Sequence, residues 1–316
     1  MSWSNVVFSL VFLPFAELFF PEDKSNAVND SASVPDVVLV SHFFIQIISL
    51  TVLFSSIYFH RIYGSALIGA ALSTGIHSGS SSIVVAHEMI HRKKNLWQWM
   101  GKILLFSAGN IYFYVEHLRV HHKWVGTEKD PATARYGESL YRFFLRSTTT
   151  QIFQSWKIEV ERLRKSGKKS FGINHYTFIN IILQIVFISI LFSFIGKYAV
   201  AVYLLQILIA NFLLEYTNYI EHYGLVRNEN ERANAFHSWQ TDKVISRFIL
   251  IDLSRHSDHH FYASKPYHTL QSYDESPVLP AGYASSIYLA LIPPLWFYLI
   301  HGRIREFNKF VTNSVL

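Results

Sequence analysis

The chain contains no cysteine among its 316 residues. Disulfides, thiolate zinc sites and cysteine-held iron–sulfur clusters are therefore excluded. Charge is scarce too: 16% of residues are Asp, Glu, Lys or Arg, against roughly 25% in an ordinary soluble domain. A Gly-rich dinucleotide fingerprint, a haem-attachment motif and an Asp-Gly pair are all missing, and no internal repeat or low-complexity tract interrupts the chain. The first twenty residues make a poor signal peptide, because "MSWSNVVFSL" has no basic start and Glu17 breaks the apolar run.

What is present is apolar. Half of the residues are hydrophobic, 16% are aromatic, and mean hydropathy is +0.20. This composition predicts an all-α integral membrane protein made of one domain over 1–316. Runs long enough to span roughly 30 Å of hydrocarbon occupy residues 37–59, 64–86, 175–195 and 198–218. Residues 3–20 form a shorter run, for a total of about five spans. Residues 96–116 contain Lys102 and Asn110 and are expected not to cross. The run 283–300 carries Pro293-Pro294 and is expected at the interface. Between 135 and 170 stand nine Lys/Arg against three Glu, which places that loop in the cytosol and the N-terminus outside. The net charge of +6 reads as this same bias, not as a nucleic-acid site.

Sixteen histidines are the second abundance. Nine fall in four clusters at expected cytosolic helix ends: His87 and His91; His117, His121 and His122; His222; and His256, His259 and His260. Spacings of i, i+4 put His87 over His91 and His117 over His121, and His256 and His259 at i, i+3 also share a helix face. Ionisable groups at such positions mark a functional site. A single catalytic zinc takes three protein ligands, so nine imidazoles are too many for one ion; two ions with four or five each use them all. Imidazole suits Fe, Cu, Zn and Ni alike. His42, His60, His77, His175, His268 and His301 are scattered and read as structural; His237, in "HSW", lies between the two classes.

"HEMIH", residues 87–91, spells the H-E-x-x-H signature of zinc metallopeptidases. An intramembrane protease also needs a third ligand, commonly an Asp before Gly. The nearest candidate here is Asp252, and seven clustered histidines are left without a role. A carboxylate-rich diiron site needs Glu-x-x-His twice, and Glu88-x-x-His91 supplies it once.

"HEMIHRKKN", "YFYVEHLRVHHKWVGTEKDPATARYGESLYRF", "NYIEHYGLVR", "HSW" and "RHSDHH" together resemble the membrane alkane 1-monooxygenases and the related xylene-methyl monooxygenases, within the integral-membrane non-haem diiron hydroxylases and fatty acid desaturases. The resemblance runs from about residue 37 to 300. It implies two non-haem iron ions held by the nine clustered histidines, with O2 as co-substrate, in a six-span bundle whose site faces the cytosol of a bacterial inner membrane. It also implies rubredoxin, with its reductase, as electron donor. The chain starts at what would be the family's second span. Terminal hydroxylation of an n-alkane is the expected activity; aryl-methyl oxidation and fatty-acyl hydroxylation or desaturation use the same metal chemistry and remain open.

Four carboxylates beside the ligands, Glu88, Glu116, Glu221 and Asp258, are candidates to hydrogen-bond and orient ligating imidazoles. Arg92, Lys93, Lys94, Arg119 and Lys123, together with the 162–169 cluster, are a candidate dock for an acidic donor; for 162–169 the loop-charge bias alone is the slightly better explanation. Asp130-Pro131 reads as the start of a turn. Residues 64–86, rich in Gly, Ala and Ser, are either a channel wall or a close helix contact.

Overall fold

The computed structural model describes residues 3–26 and 31–315, with side chains through 312. Among these residues the chain is helical, and the only extended pairing consists of two isolated bridges, Glu22 with Lys243 and Gln240 with Val278. Three helices are long and apolar enough to cross a membrane: Ser33–Tyr58, Tyr176–Phe194 and Lys197–His222. A bent pair, Tyr283–Leu291 and Pro293–Thr312, makes a fourth candidate with a 120° break. The break falls at Pro293-Pro294, where missing N–H groups cannot continue a helix.

The expected five spans are matched roughly, for two local reasons. Helix Ser4–Phe19 is too short: at about 1.5 Å per residue it falls several ångströms below the hydrocarbon thickness. The run 64–86 is helical but interrupted. It forms Ser65–His77, a wide π-type turn at Ser78–Ser82, and then Ile83–His91. Helix therefore continues past residue 86 and carries both histidines of the H-E-x-x-H string.

Contacts group the described residues into two compact units, one of residues 3–9, 31–119 and 149–214, the other of 10–26, 120–148 and 215–315. In the first unit, Leu50, Leu53, Ile57, Leu191, Val202 and Tyr203 form a buried apolar cluster. Small residues bring helices close. A Cβ on Gly75 would stand 2.8 Å from Ile209 Cβ, and one on Gly79 2.9 Å from Leu213 Cβ. At these positions the Gly-rich run is a helix contact of the small-residue kind. Buried polar side chains lock it further: Gln46 Nε2 donates to Ser78 and Ser107 at 3.0 Å each, and Gln206 Nε2 donates to Ser78 at 2.9 Å. In an apolar surrounding such groups are stable only when paired.

Helix Asn95–Ser107 has 13 residues, about 20 Å of rise, too short to cross roughly 30 Å of hydrocarbon. It ends at Gly109, whose φ is +66° and whose absent Cβ leaves room for Ile207. Asn110 Oδ1 then accepts from Phe113 N at 2.8 Å and starts the next helical turn. Gly109→Ala meets both a left-handed backbone and the Ile207 side chain, so it is expected to cost about 2–4 kcal/mol. A fall in the melting temperature of the detergent-solubilised protein would register it; an unchanged melt would contradict this packing.

In the second unit Glu17, which spoils the N-terminal run as a signal, is a buried cap. Its carboxylate accepts from Ser246 Oγ at 2.5 Å and from Ser285 N at 2.8 Å in the first turn of helix Tyr283–Leu291. A carboxylate there answers the unpaired N–H groups of a helix start. Gly282 has no side chain because a Cβ would overlap that carboxylate.

Candidate metal centre

The first unit gathers three histidines. His87 and His91 stand one turn apart on Ile83–His91, with ring centroids 5.1 Å apart. His117 follows helix Phe113–Glu116 and comes within 2.9 Å of His91, Nε2 to Nε2. Its ring stacks on Phe113 at 4.5 Å. Gly101 lets helix Asn95–Ser107 press against the ligand helix: a Cβ there would stand 2.8 Å from Ile90 Cγ2.

The second unit gathers six. His121, His222, His256 and His260 are all buried, with one nitrogen from each within 4.8 Å of the others. His256 and His260 approach to 3.0 Å through Nε2. Beside them His122 and His259 approach to 3.2 Å, again Nε2 to Nε2.

These distances test whether a metal fits. Metal–imidazole bonds near 2.1 Å place neighbouring nitrogens of an octahedral shell about 3.0 Å apart. The closest pairs here have that separation. His222 is most telling. Its Nδ1 faces the His237 carbonyl at 3.2 Å, so Nδ1 is the donor, and its buried Nε2 has no hydrogen-bond partner. A buried lone pair is costly unless something accepts it, and a cation does so. The donor set is imidazole, which suits a transition metal of the iron type.

The structure separates residues that spacing had paired. His87 and His91 do share a group. His117 joins them, whereas His121, four residues later, belongs with His222, His256 and His260. His256 joins His260, while His259 faces His122. A shared helix face gives a common direction, yet one turn still adds about 5.4 Å of rise. Each ring is then aimed by its own neighbours.

The four candidate carboxylates fare differently. Glu221 Oε1 accepts from Tyr283 OH at 2.7 Å, and Oε2 lies 3.2 Å from His256 Nε2. Glu88 holds Arg92 at 2.8 Å, and Arg92 reaches Asp36 at 2.7 Å. Asp258 is fully buried and accepts from Lys265 Nζ at 2.5 Å, Gln271 N at 2.7 Å and Tyr273 OH at 2.9 Å, tying the following loop to the ligand helix. Glu116 is buried at the residue before His117.

Sequence reading missed two supports, Asp130 and Arg255, and left a third, His237, undecided. Asp130, taken only as a turn residue, places Oδ2 2.9 Å from His121 Nδ1. Burial alone would push its carboxyl up; the His121 imidazole, then the Thr133 hydroxyl, outweigh this and hold it below the ordinary range. Arg255, buried just before His256, donates to Asp242 at 3.0 Å and to the carbonyls of Leu270, Asp23 and Ser25 at 2.9–3.0 Å. His237 offers its carbonyl to His222, while its ring accepts from Asn234 N. The one available signal was position: Asp130 opens an Asp-Pro turn nine residues after a ligand. Two scattered histidines are structural as expected. His175 Nδ1 caps helix Tyr176–Phe194 through Phe178 N, and His301 bonds Tyr223 OH.

Of the basic residues, Arg92 is committed to Glu88 and Asp36, and Arg119 lies 3.3 Å from Glu159. Lys93, Lys94 and Lys123 are exposed. In the second unit an open cleft of about 440 Å³ reaches His122 and His260 and is bordered by Trp124, Arg232 and Phe261.

Residues 64–290 match the fatty acid desaturase family. The chain is 39% identical to alkane 1-monooxygenase 1 of Pseudomonas aeruginosa over 76% of its own length and 64% of that protein, slightly under two thirds of the relative. It is 34% identical to alkane 1-monooxygenase 2 of Alcanivorax borkumensis, over 97% of this chain and 84% of the relative. It is 30% identical to the hydroxylase component of xylene/toluene monooxygenase of Pseudomonas putida, over 76% of this chain and 65% of that one. With its apolar helices and clustered imidazoles, the chain is an integral membrane protein that belongs to the fatty acid desaturase family, among the members that resemble alkane 1-monooxygenases.

Proposed function

We propose that the chain is a diiron monooxygenase that hydroxylates the terminal methyl group of an n-alkane. One methyl group, one O2, two electrons and two protons give one primary alcohol and one water. The observation that carries this reading is the buried four-imidazole group with the unpartnered Nε2 of His222, in a chain similar to alkane 1-monooxygenases along most of its length. Nine clustered histidines, four of them at this group, are enough imidazoles for two irons. When bound, the irons supply the O2 chemistry needed to oxidise an unactivated C–H bond. The chain's residues orient and desolvate. The His237 carbonyl and Asp130 aim His222 and His121, Tyr283 and Glu221 border His256, and Phe113 covers His117 on an apolar side. An alkane reaches such a site from the bilayer, its own solvent.

The likeness to the xylene/toluene hydroxylase component supports aryl-methyl oxidation as the second reading. Membranes holding the chain, supplied with rubredoxin, its reductase and octane, a xylene or a fatty acid in turn, separate the possibilities. Two irons per chain with 1-octanol are the expected result. Oxidation of the xylene alone favours the second reading; one zinc with peptide cleavage overturns both.

The sequence carries no cysteine, dinucleotide fingerprint or haem-attachment motif, and we assign the electron donor as rubredoxin acting at the cytosolic face of the bacterial inner membrane. Arg92 and Arg119 are engaged with acids, which leaves the exposed Lys93, Lys94 and Lys123 as charges to attract an acidic donor; Lys93 and Lys94 are adjacent and are tested together. Charge reversal, Lys93→Glu with Lys94→Glu, is expected to slow reduction by about tenfold at low salt and to lose that effect near 1 M, where screening reaches about 3 Å. Stopped-flow reduction across a salt series measures this; equal rates at low salt would remove the two lysines from the dock.

A further inference from the structure

We propose that Asp130 is a positioning residue for the metal held by His121, His222, His256 and His260: its carboxylate keeps the His121 proton on Nδ1, so that Nε2 presents a lone pair to the metal. The inference rests on the metal reading above and extends it to a residue outside the histidine set.

Three observations carry it. The Asp130 Oδ2 to His121 Nδ1 distance is 2.9 Å, and the aspartate side chain is 1% exposed. An ionised carboxylate only accepts hydrogen bonds, so Nδ1 must be the donor. The carboxylate is also held in place on every side. Oδ1 accepts from Ala132 N at 3.1 Å, Oδ2 accepts from Thr133 Oγ1 at 2.7 Å, and Thr133 Oγ1 in turn accepts from Gly126 N at 2.9 Å. Finally, Arg146 clamps the turn from outside, donating to the carbonyls of Pro131 and Thr133 at 3.1 Å each. The fold thus spends a buried, pre-set acceptor on the far side of one ligand ring. Such outer partners typically change metal affinity 10–100-fold.

Asp130→Asn isolates the effect. The amide has the same shape and keeps an oxygen for Ala132 N, but it turns an NH2 toward His121. Two N–H groups cannot bond, so the imidazole proton shifts to Nε2, the nitrogen meant for the metal. Thr133→Val is the companion. It removes the hydroxyl that braces the turn and leaves the carboxylate on His121.

The test measures iron per chain in the purified, detergent-solubilised protein, then iron release to a chelator at fixed pH, with melting of the metal-free forms as the check on folding. Wild type is expected to hold two irons. Asp130→Asn is expected to hold about one, or to release one about 10–100-fold faster, with a metal-free melt like that of wild type; Thr133→Val keeps both irons. The proposal is overturned if Asp130→Asn holds iron as wild type does, if Thr133→Val loses as much, or if metal-free Asp130→Asn fails to fold, since the carboxylate then serves the turn. Wild type without iron would instead sink the metal reading itself, and this inference with it.

Discussion

His222→Ala is expected to remove one iron per chain and to abolish hydroxylation. The residue ends helix Lys197–His222, has no accessible surface, and is aimed by the His237 carbonyl so that Nε2 faces the other three imidazoles. Alanine deletes one of the four imidazoles of the group. Losing a ligand should weaken the metal by more than the 10–100-fold typical of an outer partner. Metal analysis and octane turnover measured together give the result. His237→Ala is the control, because it keeps the backbone carbonyl and so should keep both irons. Two irons retained in His222→Ala would disprove the assignment. Of the nine positions, His222 is the one whose spacing says least, standing alone in "NYIEHYG", and the one whose geometry says most.

Arg146→Ala should destabilise the fold and loosen the turn that carries Asp130. Its guanidinium donates to Glu138 through Nε at 2.7 Å and Nη2 at 2.8 Å, while also holding the carbonyls of the Asp130 turn. Glu138 is 5% exposed at the side chain and Arg146 21%. Removing the arginine leaves a buried carboxylate with the Arg135 N–H at 3.0 Å but no charged partner in contact among the described residues; breaking a fully buried pair costs about 3–5 kcal/mol, and partial exposure of the arginine with the remaining hydrogen bond reduces this to about 2–3 kcal/mol. Iron at the His121 group should loosen in the same variant, because the turn that carries Asp130 loses its clamp. A melt within one degree of wild type would contradict this.

The same pair sets an acid limit. Burial alone would raise the Glu138 carboxyl; hydrogen bonds from Arg146, then from the Arg135 backbone, prevail and hold it below its ordinary value of 4.5. A depressed folded value means that the pair's stabilisation is complete above the unfolded value and is lost as pH falls from there through the folded one. The wild-type melting temperature should therefore drop below about pH 4.5, and Glu138→Gln should flatten that part of the profile. An equal drop in both would assign the acid sensitivity elsewhere.

Arg146 also shows where sequence reading stops. In the chain it is one of nine basic residues whose bias orients a loop. In the fold it is a clamp behind the metal turn. Glu17 moves the same way, from a flaw in an apolar run to the cap of a helix that begins 266 residues later. The Gly-rich run 64–86 left two roles open, and the contacts of Gly75 and Gly79 make those positions a helix seam.

What the sequence determined by itself was chemical and one-dimensional. The missing cysteine, the apolar runs and nine histidines at helix ends were enough for a helical membrane protein with an imidazole-held metal centre, because composition limits which ligands exist and hydropathy limits where they lie. Only the tertiary structure decided which histidines stand together and what aims them. His121 and His222 are separated by a hundred residues, and Asp130 touches a ligand across a turn. Spacing governs direction along one helix; distances between segments, and the partner on the far side of each ring, depend on how the helices pack.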